Sequence, residues 1–308
     1  MSPFSLRSIA WRPCSWAAFF LALIPWLFAG CSTANKGLTL PKVGGPIPVS
    51  REHVPTAEER AYWDQLTPAR VIYVAETHSL NSDHEYQWAV LKGLKTRNVR
   101  FSVGWEMFNA NQQPLLDDWN NKRLNTDALL DKTSFQKRWG TYSVMYEKIL
   151  RWTQTEGVGS VALNAPEGLS RKLAQGTTLT PDEQSAVPTG YRDLPGGYEH
   201  FVAQMGENPH TGANMENFYR AQTLWDQTMA TRIVDFLNTH PDEKIIVLVG
   251  RGHVDSGFGV PAYVAQKTDA PQLVVYPAGV PSESARPVGK VASTSRKSSD
   301  HLRRVVRS

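Results

Sequence analysis

The chain has 308 residues, of which 41% are hydrophobic, so it is long and apolar enough to bury a full core. This composition excludes a disordered or fibrous protein. Of the formal net charge of +4, the first 30 residues contribute +2 and residues 281–308 contribute +5. The segment between them therefore carries about −3, which argues against a basic nucleic-acid-binding surface on the folded part.

Residues 1–30 are typical of an export signal. Arg7 and Arg12 precede the apolar segment WAAFFLALIPWLFAG, which is too short and too interrupted by proline for a membrane span. The segment runs into LFAGC, which resembles a bacterial lipobox with Cys31 as the lipidated residue, although Phe28 stands where leucine is usual. We expect a lipid anchor in the bacterial envelope. Ser32 stands where an inner-membrane protein would carry aspartate, which favours the outer membrane.

Only two cysteines are present, one inside the signal and one at the lipobox. The processed chain therefore has no thiol pair for a disulfide and no cysteine ligands for zinc or an iron–sulfur cluster. Residues 31–68 are rich in glycine and proline at first and predict a tether and entry segment. Residues 69–280 predict a single folded domain. Residues 281–308, rich in serine, arginine and lysine, predict a disordered basic tail.

The domain begins with a predicted strand, Val71 to Ala75, which is a β-branched apolar run. A helix follows, with Ser82 or Asp83 as its predicted cap. One face of this helix is apolar and carries Tyr86, Val90, Leu91 and Leu94. The next segment, RFSVGWEMF, predicts a second strand that ends at Glu106.

Helices and strands continue to alternate along the chain. The segment SVMYEKILRWTQTEG predicts an amphipathic helix, and GSVALNAP predicts the third strand. The longest predicted helix is MENFYRAQTLWDQTMATRIVDFLNTH, which precedes a fourth strand in EKIIVLVGRGHV and a fifth in PQLVVYPAG. This alternation predicts an α/β fold in which a central, largely parallel sheet is covered by helices.

Polar residues follow the predicted strands where each strand ends, and in parallel sheets ligands bind at those carboxyl ends. They are Glu76, His78, Glu106, Asn164, Arg251 and His253. These residues could bind a divalent metal such as zinc or manganese, with an open position for water. Solvated loop residues are the simpler interpretation of each residue taken alone. Gln222 and Asp226 share a face of the longest helix, and we expect them to hold the strand-end loops by hydrogen bonds.

A group of aromatic residues lies just before and within the helix predicted in SVMYEKILRWTQTEG. Trp139, Tyr142 and Tyr146 share one face if the helix begins near Phe135. Burial habits favour an aromatic core stripe. The functional alternative is a flat apolar cleft in which a phenol is available to the iron of a haem.

Several segments, taken in order, resemble the ChaN-like haem-binding lipoprotein family of the haem-binding uptake, Tiki-like superfamily. They span about residues 69–265 and are VIYVAETHSLNSDHEYQ, GWEMFNANQQPLLDDW, WGTYSVMYEKIL, VALNAPEGLSRKLA, FYRAQTLWDQTMA and LVGRGHVDSGFGVP. The family pattern at the first motif is Gly-Glu-x-His, and Ala75 replaces its glycine here. Alanine costs little at that position if the backbone is extended.

The resemblance implies a haem-binding protein for iron acquisition rather than an enzyme, acting as a homodimer with two haems face to face. It implies tyrosine ligation of iron by Tyr146, with Tyr142 as the alternative. A histidine of the neighbouring subunit is also expected near the haem, for which His200 and His210 are candidates. An outer-membrane haem receptor is the implied partner.

Distant relatives in the same superfamily, Tiki-like metalloproteases and erythromycin esterases, imply a hydrolase as the competing class. In that interpretation Glu76 or Glu106 is a general base or metal ligand, and His78 and His253 bind a divalent metal or stabilise an oxyanion. The sequence offers no nucleophile for covalent catalysis, because it has no free cysteine in the domain and no serine in an elbow motif.

Overall fold

The computed structural model describes residues 57–140, 142–205, 214–255 and 258–277. Cys31, His210, the signal and the basic tail lie outside these residues, so their predicted roles stay predictions. Within the described residues the strands are β1 (Val71–Glu76), β2 (Phe101–Asn109), β3 (Ser160–Asn164), β4 (Lys244–Gly250) and β5 (Gln272–Val275). All four strand pairings are parallel and the order across the sheet is β3-β2-β4-β1-β5. The predicted α/β fold is confirmed.

Helices cover both faces of this sheet. In the described part of the chain they are α1 (Ala57–Leu66), α2 (Asn81–Thr96), α3 (Gln113–Asn120), α4 (Thr126–Lys132), α5 (Phe135–Trp139), α6 (Ser143–Thr155), α7 (Glu167–Ala174), α8 (Pro181–Ser185), α9 (Gly197–Met205), α10 (Met215–Thr239) and α11 (Val260–Ala265). Short 3₁₀ helices follow β2 (Ala110–Gln112) and β4 (Arg251–His253). None of the described helices has the length and apolar content needed to cross a bilayer.

The core lies in two layers, one on each face of the sheet. Ile72 and Val74 of β1 pack into the layer that contains α2 and α6. Val71, Tyr73 and Ala75 point to the other face and pack with α10 and α11. Every residue of β1 is buried for this reason, as expected of a parallel strand covered on both sides.

The end of β2 differs from the prediction, and the difference affects a polar residue. β2 does not end at Glu106 but continues to Asn109, because the strand bulges between Trp105 and Asn109 against β3. The pairing of β2 with β4 ends at Trp105. Glu106 is therefore inside β2 but beyond its paired part on the β4 side.

The predicted caps and helix continuity also need correction. Leu80 is the N-cap of α2, without a side-chain bond, and Asp83 lies in the first turn, where it accepts a hydrogen bond from the backbone N–H of Thr77 at 2.8 Å. The single aromatic helix predicted from Phe135 is divided into α5 and α6, which are separate helices. Tyr142 is the N-cap of α6 and lies one turn before Tyr146.

Candidate ligand-binding site

Glu76 lies at the centre of a buried polar group at the carboxyl edge, the edge of the sheet where the strands have their C-terminal ends. The register pairs Glu76 with Gly250 of β4, which places the ends of these two strands side by side. Oε1 of Glu76 lies 2.6 Å from Nδ1 of His78 and accepts a hydrogen bond from the hydroxyl of Tyr146. The Glu76 side chain is thereby connected to the loop after β1 and to α6.

His84 approaches the same carboxylate from the first turns of α2. Its Nδ1 lies 2.9 Å from Oε2 of Glu76, and its Nε2 donates a hydrogen bond to the backbone carbonyl of His78 at 3.0 Å. His84 is buried, and its ring meets that of Tyr146 edge to face with 4.7 Å between centroids. The sequence predicted only the first turn of a helix here and missed the contact of His84 with Glu76. The one signal for that contact was a second histidine six positions after His78.

Glu106, inside β2, connects this strand to the end of β4. Its Oε2 accepts the backbone N–H of Gly250 at 2.6 Å. Its Oε1 lies 3.7 Å from Nε2 of His78 and 3.5 Å from Nε2 of His253. A Cβ atom on Gly250 would lie 2.8 Å from Nε2 of His78, so only glycine leaves room for this arrangement. The predicted meeting of Glu76, His78, Glu106 and His253 is what the structure contains.

Helix α10 supplies the remaining polar contacts of His253. Asp226 Oδ1 lies 2.5 Å from Nδ1 of His253, and the side-chain amide of Gln222 lies 2.9 Å from the same nitrogen. Gln222 also approaches the carbonyl of Gly252 at 3.5 Å. These contacts agree with the expectation that Gln222 and Asp226 hold a strand-end loop.

The ionisation of the group follows from burial and from its alternating charges. Burial opposes the ionised form of Glu76, yet hydrogen bonds and charges from His78 and His84 lower its pKa to about 2. Burial also opposes protonation of His253, yet the carboxylates of Glu106 and Asp226 raise its pKa to about 10. The folded protein thus favours an ionised Glu76 and a protonated His253 within one group of carboxylates and imidazoles.

Aromatic side chains pack against one side of the polar group around Glu76. Trp139 lies edge to face with His78, at 5.2 Å between centroids, and with Tyr146, at 5.8 Å. Burial raises the pKa of Tyr146 well above its usual value, and the nearby charge of Glu76 raises it further. Tyr146 is fully buried, whereas Tyr142 is only partly buried. Val144, between them, is 75% exposed.

The other predicted site residues lie apart from this group or at its margin. The Asn164 side chain accepts the N–H of Ala165, directly after β3. Arg251 follows β4 and lies near Tyr276, with 5.7 Å from its Cζ to the ring centroid. His200, on α9, stacks on Phe258 with 4.2 Å between centroids.

No group of three or more His, Cys, Asp or Glu residues in the described ranges is arranged to hold a metal ion. Nδ1 of His78 meets Glu76 and Nδ1 of His253 meets Asp226, which leaves the Nε2 atom of each imidazole to face a metal, and both Nε2 atoms lie nearest to Glu106. The zinc or manganese site predicted as an alternative is therefore not preformed among these residues.

Comparisons with known proteins agree with this fold. The haem-binding uptake, Tiki superfamily, ChaN family model matches residues 62–264. A solved structure of cofacial haem binding to ChaN of Campylobacter jejuni has a TM-score of 0.55 and 20% identity to this chain, and the match covers 70% of this chain and 84% of that chain. At this identity the likeness shows the fold alone.

Two further solved structures are more distant. An erythromycin esterase, EreC, in its open conformation has a TM-score of 0.45 and 13% identity, with 73% of each chain covered. A toxin effector domain, RRSP from Vibrio vulnificus, has a TM-score of 0.39 and 18% identity, covering 68% of this chain and 34% of that one. Among curated protein sequences none matches. Because the family model spans about two thirds of the 308 residues, the chain belongs to the haem-binding uptake, Tiki superfamily, ChaN family.

Proposed function

We propose that this protein binds haem at the carboxyl edge of the sheet, beside the start of α6, and serves iron acquisition. Membership of the ChaN family supports haem as the ligand. The observation that carries the proposal is a pair of phenols one helical turn apart, Tyr142 and Tyr146, next to the polar group around Glu76. Tyrosine oxygen is an established axial ligand of haem iron.

The two tyrosines do not fit this role equally well. The Tyr146 hydroxyl donates to Glu76 from a fully buried position, so it must exchange that bond before it can face a ligand. Tyr142 is partly exposed, so its side chain lies nearer to solvent than that of Tyr146. We therefore propose Tyr142 as the phenol that faces the iron, with Tyr146, the residue matched to the family motif, as the competing ligand. Haem would supply a Lewis-acidic iron and a flat apolar face. Trp139 and Val144 are apolar side chains that could pack against that face.

A hemin titration tests this proposal. Adding hemin to the purified protein should produce a shifted, saturable Soret band with one haem per subunit. A spectrum equal to the sum of free hemin and protein at every ratio would refute haem binding. Nonspecific uptake is separated from site binding by the tyrosine variants described in the Discussion.

We also propose a homodimer in which two haems lie face to face. The solved structure of cofacial haem binding to ChaN of Campylobacter jejuni suggests this arrangement. On this chain Val144 is 75% exposed and Leu80 is 43% exposed, both next to the residues of the site, which supports an apolar contact there. His200 or His210 would approach the haem of the partner subunit. Light scattering with and without hemin should show the mass doubling, and a constant monomer mass would refute the dimer.

The cellular setting belongs to the same proposal. We infer export, lipidation at Cys31 and anchoring to the outer membrane, supported by the LFAGC motif after an apolar segment. An outer-membrane haem receptor is the partner that this location favours.

A metal-dependent hydrolase is the second candidate, favoured by one specific arrangement. Nε2 of His78 and Nε2 of His253 converge on one oxygen of Glu106, while carboxylates orient their other nitrogens. Elemental analysis of the purified protein tests this candidate. Stoichiometric zinc or manganese that disappears in His78→Ala and His253→Ala would support it, and metal-free protein that also gains no activity with added zinc or manganese would refute it.

A further inference from the structure

Arg251 has buried donors that the polar group around Glu76 does not use. The residue follows β4 directly and is only partly exposed. Its Nε and Nη2 atoms are shielded from solvent, and within the described ranges neither has a hydrogen-bond partner. A buried donor on a charged group is costly when it is left unpaired, so a partner is expected from outside these residues.

The surroundings hold the guanidinium in place without pairing these two atoms. Its Cζ lies 5.7 Å from the centroid of the Tyr276 ring, which follows β5, and the Tyr276 hydroxyl is bonded to Asp255. Asp83 and Asp255 are near enough for Arg251 to attract their carboxylates. The guanidinium therefore lies at the carboxyl edge, across the end of β1 and towards β5, in a partly buried place.

The identity of the unpaired atoms indicates what the partner is. Nε–H and one N–H of Nη2 lie along the same edge of the planar guanidinium and point in the same direction. Such an edge matches the two oxygens of a carboxylate, which accept two parallel hydrogen bonds. A single carbonyl or hydroxyl oxygen would satisfy only one of the two donors well.

We propose that Arg251 binds a carboxylate of the ligand through Nε and Nη2. This inference rests on the proposed function, in which the ligand is haem, because haem carries two propionate carboxylates at one side of an otherwise apolar ring. Arg251 thereby fixes which side of the porphyrin enters the site, and it discriminates against porphyrins without free carboxylates.

Binding of hemin and of hemin dimethyl ester, in which both propionates are esterified, tests the proposal. Arg251→Gln should weaken hemin binding roughly 10- to 100-fold, the loss expected for hydrogen bonds to a charged group. The ester should bind wild type and variant with equal affinity, because it has no free carboxylate that could pair with Arg251. Arg251→Lys keeps the charge but not the paired donors, so it should show most of the same selective loss.

Arg220→Gln is the matched control, since Arg220 is exposed on α10 and its removal changes the net charge equally. It should leave the ratio of hemin to ester affinity unchanged. Equal effects of Arg251→Gln on hemin and ester, or no effect on either, would overturn the proposal while leaving haem binding intact. A wild type that binds neither compound would refute haem binding and this inference together.

Discussion

The hydroxyl of Tyr146 donates a hydrogen bond to Glu76, and both side chains are almost completely buried. The bond joins α6 to the carboxyl end of β1. Burial first, and then the charge of Glu76, raise the pKa of Tyr146 well above its usual value, so the phenol stays a neutral donor. A buried carboxylate needs such donors, because burial separates it from bulk water.

Tyr146→Phe should destabilise the protein more than it affects haem binding. The substitution leaves the ring packing intact but removes one donor from the buried Glu76, which should cost roughly 1–3 kcal/mol. The free energy of unfolding from denaturant titration measures this loss. A variant as stable as wild type that no longer shifts the Soret band would instead make Tyr146 the iron ligand.

Tyr142→Phe should have the opposite effects. Tyr142 is partly exposed at the start of α6, so loss of its hydroxyl should change the unfolding free energy little. The Soret band of the hemin complex should move or weaken, because the proposed phenol ligand is gone. Tyr191→Phe, another partly buried tyrosine, bonded to Thr231, is the control and should keep the wild-type spectrum. An unchanged spectrum in Tyr142→Phe would remove Tyr142 from the site.

Gly250→Ala tests the close approach of β4 to the polar group. The added methyl would lie 2.8 Å from Nε2 of His78, so the imidazole would have to leave its place between Glu76 and Glu106. We expect a loss of roughly 1–3 kcal/mol in unfolding free energy. Gly252→Ala is the control two residues later, where a Cβ meets nothing within 4 Å, and it should have little effect. Equal stability of the two variants would contradict the crowding at Gly250.

Much of the fold could be predicted because β1 and β4 contain continuous apolar runs and the long helices have an apolar face. The same reasoning brought Glu76, Glu106 and His253 to one edge, since parallel strands share their carboxyl ends. The order of the strands could not be predicted. Placing β4 between β1 and β2 is a long-range pairing, and it alone brings Gly250 next to His78 and Glu106.

The predictions that failed depended on local geometry that residue spacing does not carry. Gly140 lies within the helix predicted from Phe135, and glycine weakens a helix interior, so the division into α5 and α6 had a visible signal. The contact of His84 with Glu76 had a weaker signal in the sequence. It exists because the chain turns back through Leu80 into α2, so a residue eight positions away faces the end of β1.

The proposed anchor depends on Cys31. Cys31→Ala removes the thiol that would carry the lipid, so the protein should move from the membrane fraction to the soluble periplasmic fraction. Cys14→Ala changes the other cysteine, inside the signal, and should leave the distribution as in wild type. Fractionation followed by immunoblotting measures both. A Cys31→Ala protein that stays entirely with the membranes would refute lipidation at this residue.

The stability of the protein should fall at alkaline pH because of His253. This imidazole faces Glu106 from β2, Asp226 from α10 and His78 from the loop after β1. Burial opposes its protonation, but the two carboxylates prevail and raise its pKa from 6.5 to about 10. A pKa raised by folding stabilises the folded state below the unfolded value, and this stability is lost as pH rises towards the folded value.

We therefore expect the unfolding free energy to decrease by on the order of 3 kcal/mol between pH 7 and pH 10, measured by denaturant titration at each pH. Asp226→Asn removes one of the two attracting charges, so it should lower stability at pH 7 and flatten the profile. Asp235→Asn, an exposed position on the same helix, should keep the wild-type profile. If Asp226→Asn and Asp235→Asn gave the same pH profile, the charge of Asp226 would not act on His253.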